Sequence, residues 1–363
     1  MGLGILMNPK NGRRRSSKTF NLSAVGFEEI NNSTCRVHGL IRRFLHAPKK
    51  ELKPAFLNTT RLSAVYRRWR QTNSVNLFSV RTPLICWVLL LGNACLWGQR
   101  SSGPLKGTLI VDGGGTTNLV KDRFVSMAGG KAARIVVIPT GASSVRFGPQ
   151  KVILNSDWPK DRPEWSAYEA DLKTWFGVGN VVVLHTRNRT VADSEEFVAP
   201  LRKATGVFLG TGNAGRIAEA YLGTRTQQEL QEVLNRGGVI FGSSSGAIIM
   251  GSFIVRGWPE KPLLMASGHE RGFAFLKNVA IDPHLTEAKR DYELINVVDA
   301  HPDILGIGID EVAALIVQGN VFEVIGTGQV AIYDNQPHPG AWYYWLKPGD
   351  HFDLARWQKV NPQ

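Results

Sequence analysis

The sequence predicts an α/β fold: a doubly wound, mostly parallel sheet with a β-rich C-terminal extension. Three observations carry this. From Gly107 onward, Val- and Ile-rich runs recur without polar alternation, as expected of strands covered on both faces. Segments of helical periodicity separate them. Each run ends in glycines or small hydroxyl residues, the loop chemistry found where an open α/β sheet places its crevice.

The elements follow in order. GTLIVDGGG is a first strand ending at Gly113-Gly114-Gly115, and ARIVVIPTGASS (Ala133 to Ser144) repeats the plan. SAYEADLKTWF (Ser166 to Phe176) predicts a helix with Tyr168, Leu172, Trp175 and Phe176 on one face. NVVVLHT (Asn180 to Thr186) is a third strand. DSEEFVAPLRKA (Asp193 to Ala204) predicts a helix opening with a cap and acids in its first turn. TGVFLGTGNAG (Thr205 to Gly215) supplies the fourth strand. TQQELQEVLNRGG (Thr226 to Gly238) predicts a Thr-capped helix stopped by glycine. GGVIFGSSSG is the fifth strand with its loop. After residue 300, short strands and glycine turns predict an antiparallel continuation.

The chain has 363 residues and 43% apolar content, enough for a sizeable core. Its net charge of +13 is unevenly placed. Residues 1–100 hold 17 Lys and Arg against 3 Asp and Glu, whereas the remainder holds 26 against 27. The near-neutral remainder offers no electrostatic case for nucleic acid. Cys35, Cys86 and Cys95 all lie in the basic part, so the rest has no disulfide and no cysteine-held metal. Within the basic part, LICWVLLLGNACLWG (84–98) is too short for a typical membrane span of about 20 residues. It has the layout of a secretory signal: Arg81 before it, polar QRSSGP after it. Residues 1–104 therefore read as a basic leader, unfolded or upstream of the true start, and 105–363 as the α/β domain. The expected location is secreted or periplasmic, with a membrane role only if 84–98 is retained as an anchor.

Gly242-Ser243-Ser244-Ser245-Gly246 fits G-x-S-x-G between an apolar strand and a helix-compatible AIIMG. Exposing a serine hydroxyl on so tight a strand-to-helix turn strains the backbone and requires small neighbours. The amide of Ser245 then faces the hydroxyl as an oxyanion donor. A nucleophilic serine needs a base, and the base needs an acid to orient it. His284 ends an apolar run just before a predicted helix, where a base can meet a serine at another strand end. His269 sits in a polar loop, and His301 resembles a helix-terminating residue beside Pro302. For the acid, Glu311 lies in the very apolar LGIGIDEVAALIV and needs a partner. Glu260, in RGWPEKP, is the alternative. Asp310 and Asp282 also read as turn or capping residues.

Four ordered blocks, VFLGTGNAGRI, GGVIFGSSSGAIIMGSFIVRG, GFAFLKNVAIDPHL and ILGIGIDEVAALIV, resemble the cyanophycinase and dipeptidase E family of serine exopeptidases. The resemblance spans roughly residues 105 to 355 and includes PGDHFDL. It implies a class I glutamine-amidotransferase-like fold, a peptide substrate, no metal and no organic cofactor. It implies Ser244 as nucleophile, His284 as base and Glu311 as acid, with Glu260 near a position also assigned that role. It places the oxyanion amides at Gly212 and Ser245, and Asn213 and Asp282 on the substrate side. The family is often dimeric. The chain departs from it at Ala214, where glutamine is typical, at Asp282-Pro283-His284-Leu285 in place of Asp-Gln-His-Phe, and in the TEAKRDYEL that replaces an arginine-rich stretch. The expectation is a cyanophycinase-like serine exopeptidase acting on a peptide or isopeptide bond, β-aspartyl bonds included. An esterase on the same serine and a non-catalytic binding protein on the same fold are the alternatives.

Overall fold

A computed structural model describes residues 102–147, 149–154, 163–257 and 264–361. The basic leader up to residue 101, its 84–98 segment and Glu260 lie outside the described residues.

The crevice is built on a nine-stranded sheet. Its parallel half runs β5 (Asn180–Val183), β2 (Arg134–Ile138), β6 (Gly206–Leu209), β7 (Val239–Ser243) and β1 (Thr108–Asp112). Along β1, Leu109 and Val111 enter one core cluster and Ile110 another; along β2, Val136 and Ile138 are divided from Ile135 and Val137 in the same way. Both faces are therefore covered, which is why these strands read as unbroken apolar runs. On the face of Ile110 lie α1 (Asn118–Met127) and α2 (Pro163–Phe176), through Phe124, Leu172 and Phe176. On the face of Leu109 lie α4 (Glu195–Lys203), α5 (Ala214–Tyr221) and α6 (Arg225–Asn235), through Leu201, Ile217 and Leu230, with the short α3 (Arg189–Ala192) before them.

Several local expectations need correction. Trp175 is 37% exposed, so the inward stripe of α2 rests on Leu172 and Phe176. The cap of α4 is Ser194, whose Oγ accepts from the Phe197 N–H. Thr226 does not cap α6; it lies buried in the first turn and donates to Ala192 O, while Thr224 stands at the N-cap. Two helices, α1 and α5, fall where no helix was expected. Ser102 pairs with Lys277 in both directions, so the fold begins slightly before residue 105.

The C-terminal strands divide between two sheets. β11 (Ala313–Gln318), β12 (Val321–Gly326), β15 (His351–Asp353) and β16 (Gln358–Val360) extend the main sheet antiparallel from β1. β10 (Leu305–Ile309), β13 (Val330–Tyr333) and β14 (Tyr344–Leu346) instead join β8 (Gly251–Phe253) and β9 (Leu276–Pro283) in a five-stranded sheet. Val279 and Ile281 of β9 pack in the cluster shared with the main sheet, and Ala280 packs with α8 (Glu293–Ala300) on the other face. The helix expected directly after His284 is preceded by turns and starts only at Glu293. His301 is the C-cap residue of α8, as its neighbour Pro302 suggested. β3 (Ser144–Phe147) and β4 (Gln150–Ile153) form a separate hairpin. Among the described residues, no helix is long and apolar enough to cross a membrane.

Candidate active site

Ser244 stands between β7 and the one-turn helix α7 (Ser245–Ile248). Its backbone has φ 54° and ψ −112°, a strained conformation for any residue but glycine. The flanking glycines have a steric cause. A Cβ on Gly242 would lie 2.2 Å from Gly246 O, and one on Gly246 would lie 2.1 Å from Leu209 O. Ser243 is fully buried and Ser245 nearly so, while Ser244 alone of the three is half-buried.

His284 follows the last residue of β9, and its N–H donates to Gly113 O at 3.0 Å. It too has positive φ, 56°. Glu311 occupies the turn between β10, in one sheet, and β11, in the other. The structure brings these three together. Ser244 Oγ lies 2.8 Å from His284 Nε2, and His284 Nδ1 lies 2.7 Å from Glu311 Oε1. An ionised carboxylate only accepts, so Nδ1 carries the proton, and Nε2 of the neutral ring accepts from the serine hydroxyl. The His284 side chain is 30% exposed and that of Glu311 41%. Glu311 is therefore not the buried acid its apolar surroundings suggested. Asp310 is: it is 9% exposed, and its carboxylate accepts from Thr286 N, Thr286 Oγ1 and Gln329 N. Glu287 accepts from the Glu311 N–H and steadies that turn.

The remaining candidates fall in different places. Gly212 and Asn213 form the loop between β6 and α5. Asn213 N donates to Gly141 O at 2.9 Å, and Asn213 Oδ1 accepts from Arg216 N as the N-cap of α5. Among the described residues, the N–H groups of Gly212 and Ser245 donate to no protein acceptor. Asp282, expected on the substrate side, is 0% exposed. Its carboxylate accepts a forked pair from Arg256, at 3.1 Å for each bond, and lies 3.5 Å from Arg290. Burial pushes its carboxyl up and the two guanidinium groups pull it back. Asp282 is a structural anion beneath the site, corrected from substrate binding because no face of it is open. The His269 N–H donates to Ala266 O at 2.9 Å, and His301 packs its ring on Phe253. Among the described residues, no group of three or more His, Cys, Asp or Glu side chains is placed to hold a metal ion.

Sequence reading passed over one cluster. Asp112, at the end of β1, is buried, and its Oδ2 accepts from Ser243 Oγ at 2.6 Å, Thr116 Oγ1 at 2.7 Å and Gly114 N at 3.3 Å. Gly114, at φ 121°, lies against the imidazole: a Cβ there would sit 2.1 Å from His284 Cε1. The available signal was an acid closing an apolar strand directly before three glycines.

Comparison with known proteins agrees with the expected resemblance. The model of peptidase family S51 matches residues 109–325. The chain is similar to a cyanophycinase of Nostoc sp. (strain PCC 7120), 33% identical over 178 residues that cover 46% of this chain and 59% of that protein. It is similar to a cyanophycinase of Synechococcus elongatus, 28% identical over 235 residues, 62% of this chain and 68% of that one. The match to the Nostoc protein thus spans well under two thirds of that relative's length. In fold it is similar to the crystal structure of a peptidase from an acI-B1 Actinobacterium, with TM-score 0.50, 20% identity and coverage of 69% of this chain and 98% of that one. With more than half of its length matched by the family model, this chain belongs to peptidase family S51, a family of serine-type peptidases.

Proposed function

We propose that the protein is a serine exopeptidase of cyanophycinase-like type, working through Ser244, His284 and Glu311. The carrying observation is the continuous hydrogen-bond chain from Ser244 Oγ through both ring nitrogens of His284 to Glu311 Oε1. In the reaction, Ser244 Oγ attacks the carbonyl carbon while its proton passes to His284 Nε2. The developing oxyanion takes hydrogen bonds from the Gly212 and Ser245 amides, a role supported by their having no protein acceptor among the described residues. The imidazolium, held by Glu311, then protonates the leaving amine. Water, deprotonated by the same nitrogen, releases the acyl group and restores Ser244.

The five parallel strands with the seryl turn after β7 support the class I glutamine-amidotransferase-like reading of the fold. The substrate is a peptide or isopeptide, with β-aspartyl bonds among those cleaved. The two relatives above bear the name cyanophycinase, but Ala214 and the segment after His284 depart from the family pattern, so the polymer itself need not be the substrate. Export through the 84–98 segment completes the proposal, and N-terminal sequencing of the mature protein tests it. The functional test is a screen of α- and β-aspartyl dipeptides together with cyanophycin. Release of a free amino acid or dipeptide by the wild type, and none by a folded Ser244→Ala variant, is expected. Equal turnover by the two proteins would overturn the assignment. Hydrolysis of p-nitrophenyl esters without cleavage of any peptide would favour an esterase.

A further inference from the structure

Asp112 takes no part in the proton relay, yet it is a 1% exposed carboxylate at the end of an apolar strand. For the sheet alone, a well-packed apolar side chain there would serve at least as well as a buried anion. Burial pushes its carboxyl above the usual carboxylate range, and Ser243, Thr116, Gly114 N–H and the nearby His284 pull it back. Three donors on one oxygen are the pattern of an ionised carboxylate.

Those bonds close the turn Asp112–Thr116 and tie it to Ser243, the residue before the proposed nucleophile. The same turn meets each member of the relay through the backbone. Asp112 O accepts from Ser244 N at 3.1 Å, Gly113 O accepts from His284 N at 3.0 Å, and Gly115 N donates to Glu311 O at 2.8 Å. Ser244 follows β7 of the main sheet, His284 follows β9 of the second, and Glu311 lies between strands of both. All three touch this turn.

We infer that Asp112 is a positioning residue for the hydrolysis proposed above: through Thr116, Gly114 and Ser243 it fixes the turn that sets Ser244, His284 and Glu311 in register. The inference rests on the hydrolase reading. Its test uses the full chain and a fluorophosphonate probe, with the rate of labelling at Ser244 measured beside thermal unfolding. Asp112→Asn keeps the shape and some acceptor capacity but removes the charge. Labelling should slow by about 100-fold, the scale of an ångström-level misplacement, while the protein stays folded. Thr116→Val should slow labelling by about 10-fold on the same argument, and Thr116→Ser, which restores the hydroxyl, should recover most of the rate. Wild-type labelling by Asp112→Asn, or a loss no larger than its unfolded fraction, overturns the inference. If Asp112→Asn does not fold, the Thr116 pair decides: equal rates for Val and Ser overturn it. A wild-type protein that does not label at Ser244 fails differently, because it removes the hydrolase reading itself.

Discussion

A methyl group on Gly114 would lie 2.1 Å from Cε1 and 2.5 Å from Nε2 of His284. The turn or the ring must shift to admit it, and a shift of the ring disturbs the 2.8 Å contact with Ser244. Gly114→Ala is therefore expected to lower kcat by about 100-fold or more, measured on whichever peptide the screen identifies. Glu311→Gln tests the acid. An amide can hold the imidazole in the wrong tautomer, a change that costs a serine triad up to about 10,000-fold in kcat. Because Glu311 is 41% exposed, water can stand in for part of its role, and a loss of about 100- to 1,000-fold is expected. Glu260→Gln should leave kcat near wild type; the opposite ranking of the two variants would move the acid to Glu260. Ser244, His284 and Glu311, the residues of the proposed relay, stand out in the sequence because each falls near a strand end beside small or apolar residues. Asp112 and Gly114 were not, because what they contact arrives from β7, β9 and the turn after β10. Asp282 was misread for a related reason: a carboxylate beside the base looks functional until Arg256 and Arg290 close over it.

At the scale of elements, β9 carries His284 at its end and Asp282 just inside it. Removing the Asp282 carboxylate leaves Arg256 with Glu293 as its remaining carboxylate and takes from Arg290 the carboxylate 3.5 Å away, with the two side chains only 18% and 17% exposed. Asp282→Ala should cost about 3–5 kcal/mol of stability, read as a lower urea midpoint, and should weaken activity through β9 rather than through chemistry. An unchanged midpoint would show that the two arginines find other partners. The parallel strands were readable because burial on both faces removes polar alternation. Helix α1 was not, since it buries only Val120 and Phe124 and carries a weak apolar stripe. Helix α5 was hidden inside a Gly- and Ala-rich stretch that resembles loop. The stretch after residue 300 reads as short strands continuing one domain, yet Asp310, Glu311 and Val312 carry the chain from one sheet to the other. Which sheet a strand joins is decided by long-range pairing, for which local pattern has no signal.

Among the described residues, the stretch 102–361 builds three apolar clusters and supplies every group of the proposed relay. With a core and relay of this size in 102–361, a chain starting at Ser101 is expected to melt cooperatively and to react at Ser244 as fast as the full protein; loss of the cooperative transition would give the leader a structural part. The excess positive charge leaves with the leader, so the shortened chain should show no salt-dependent binding to duplex DNA. Ser244 is proposed to owe its nucleophilicity to His284 and Glu311. The most direct measurement of this is mass spectrometric mapping of a fluorophosphonate adduct on the wild type, Ser244→Ala and His284→Ala. One adduct, on Ser244, is expected in the wild type, none in Ser244→Ala, and labelling slowed to near background in His284→Ala. An adduct of equal yield in Ser244→Ala, or labelling of His284→Ala at the wild-type rate, would contradict it.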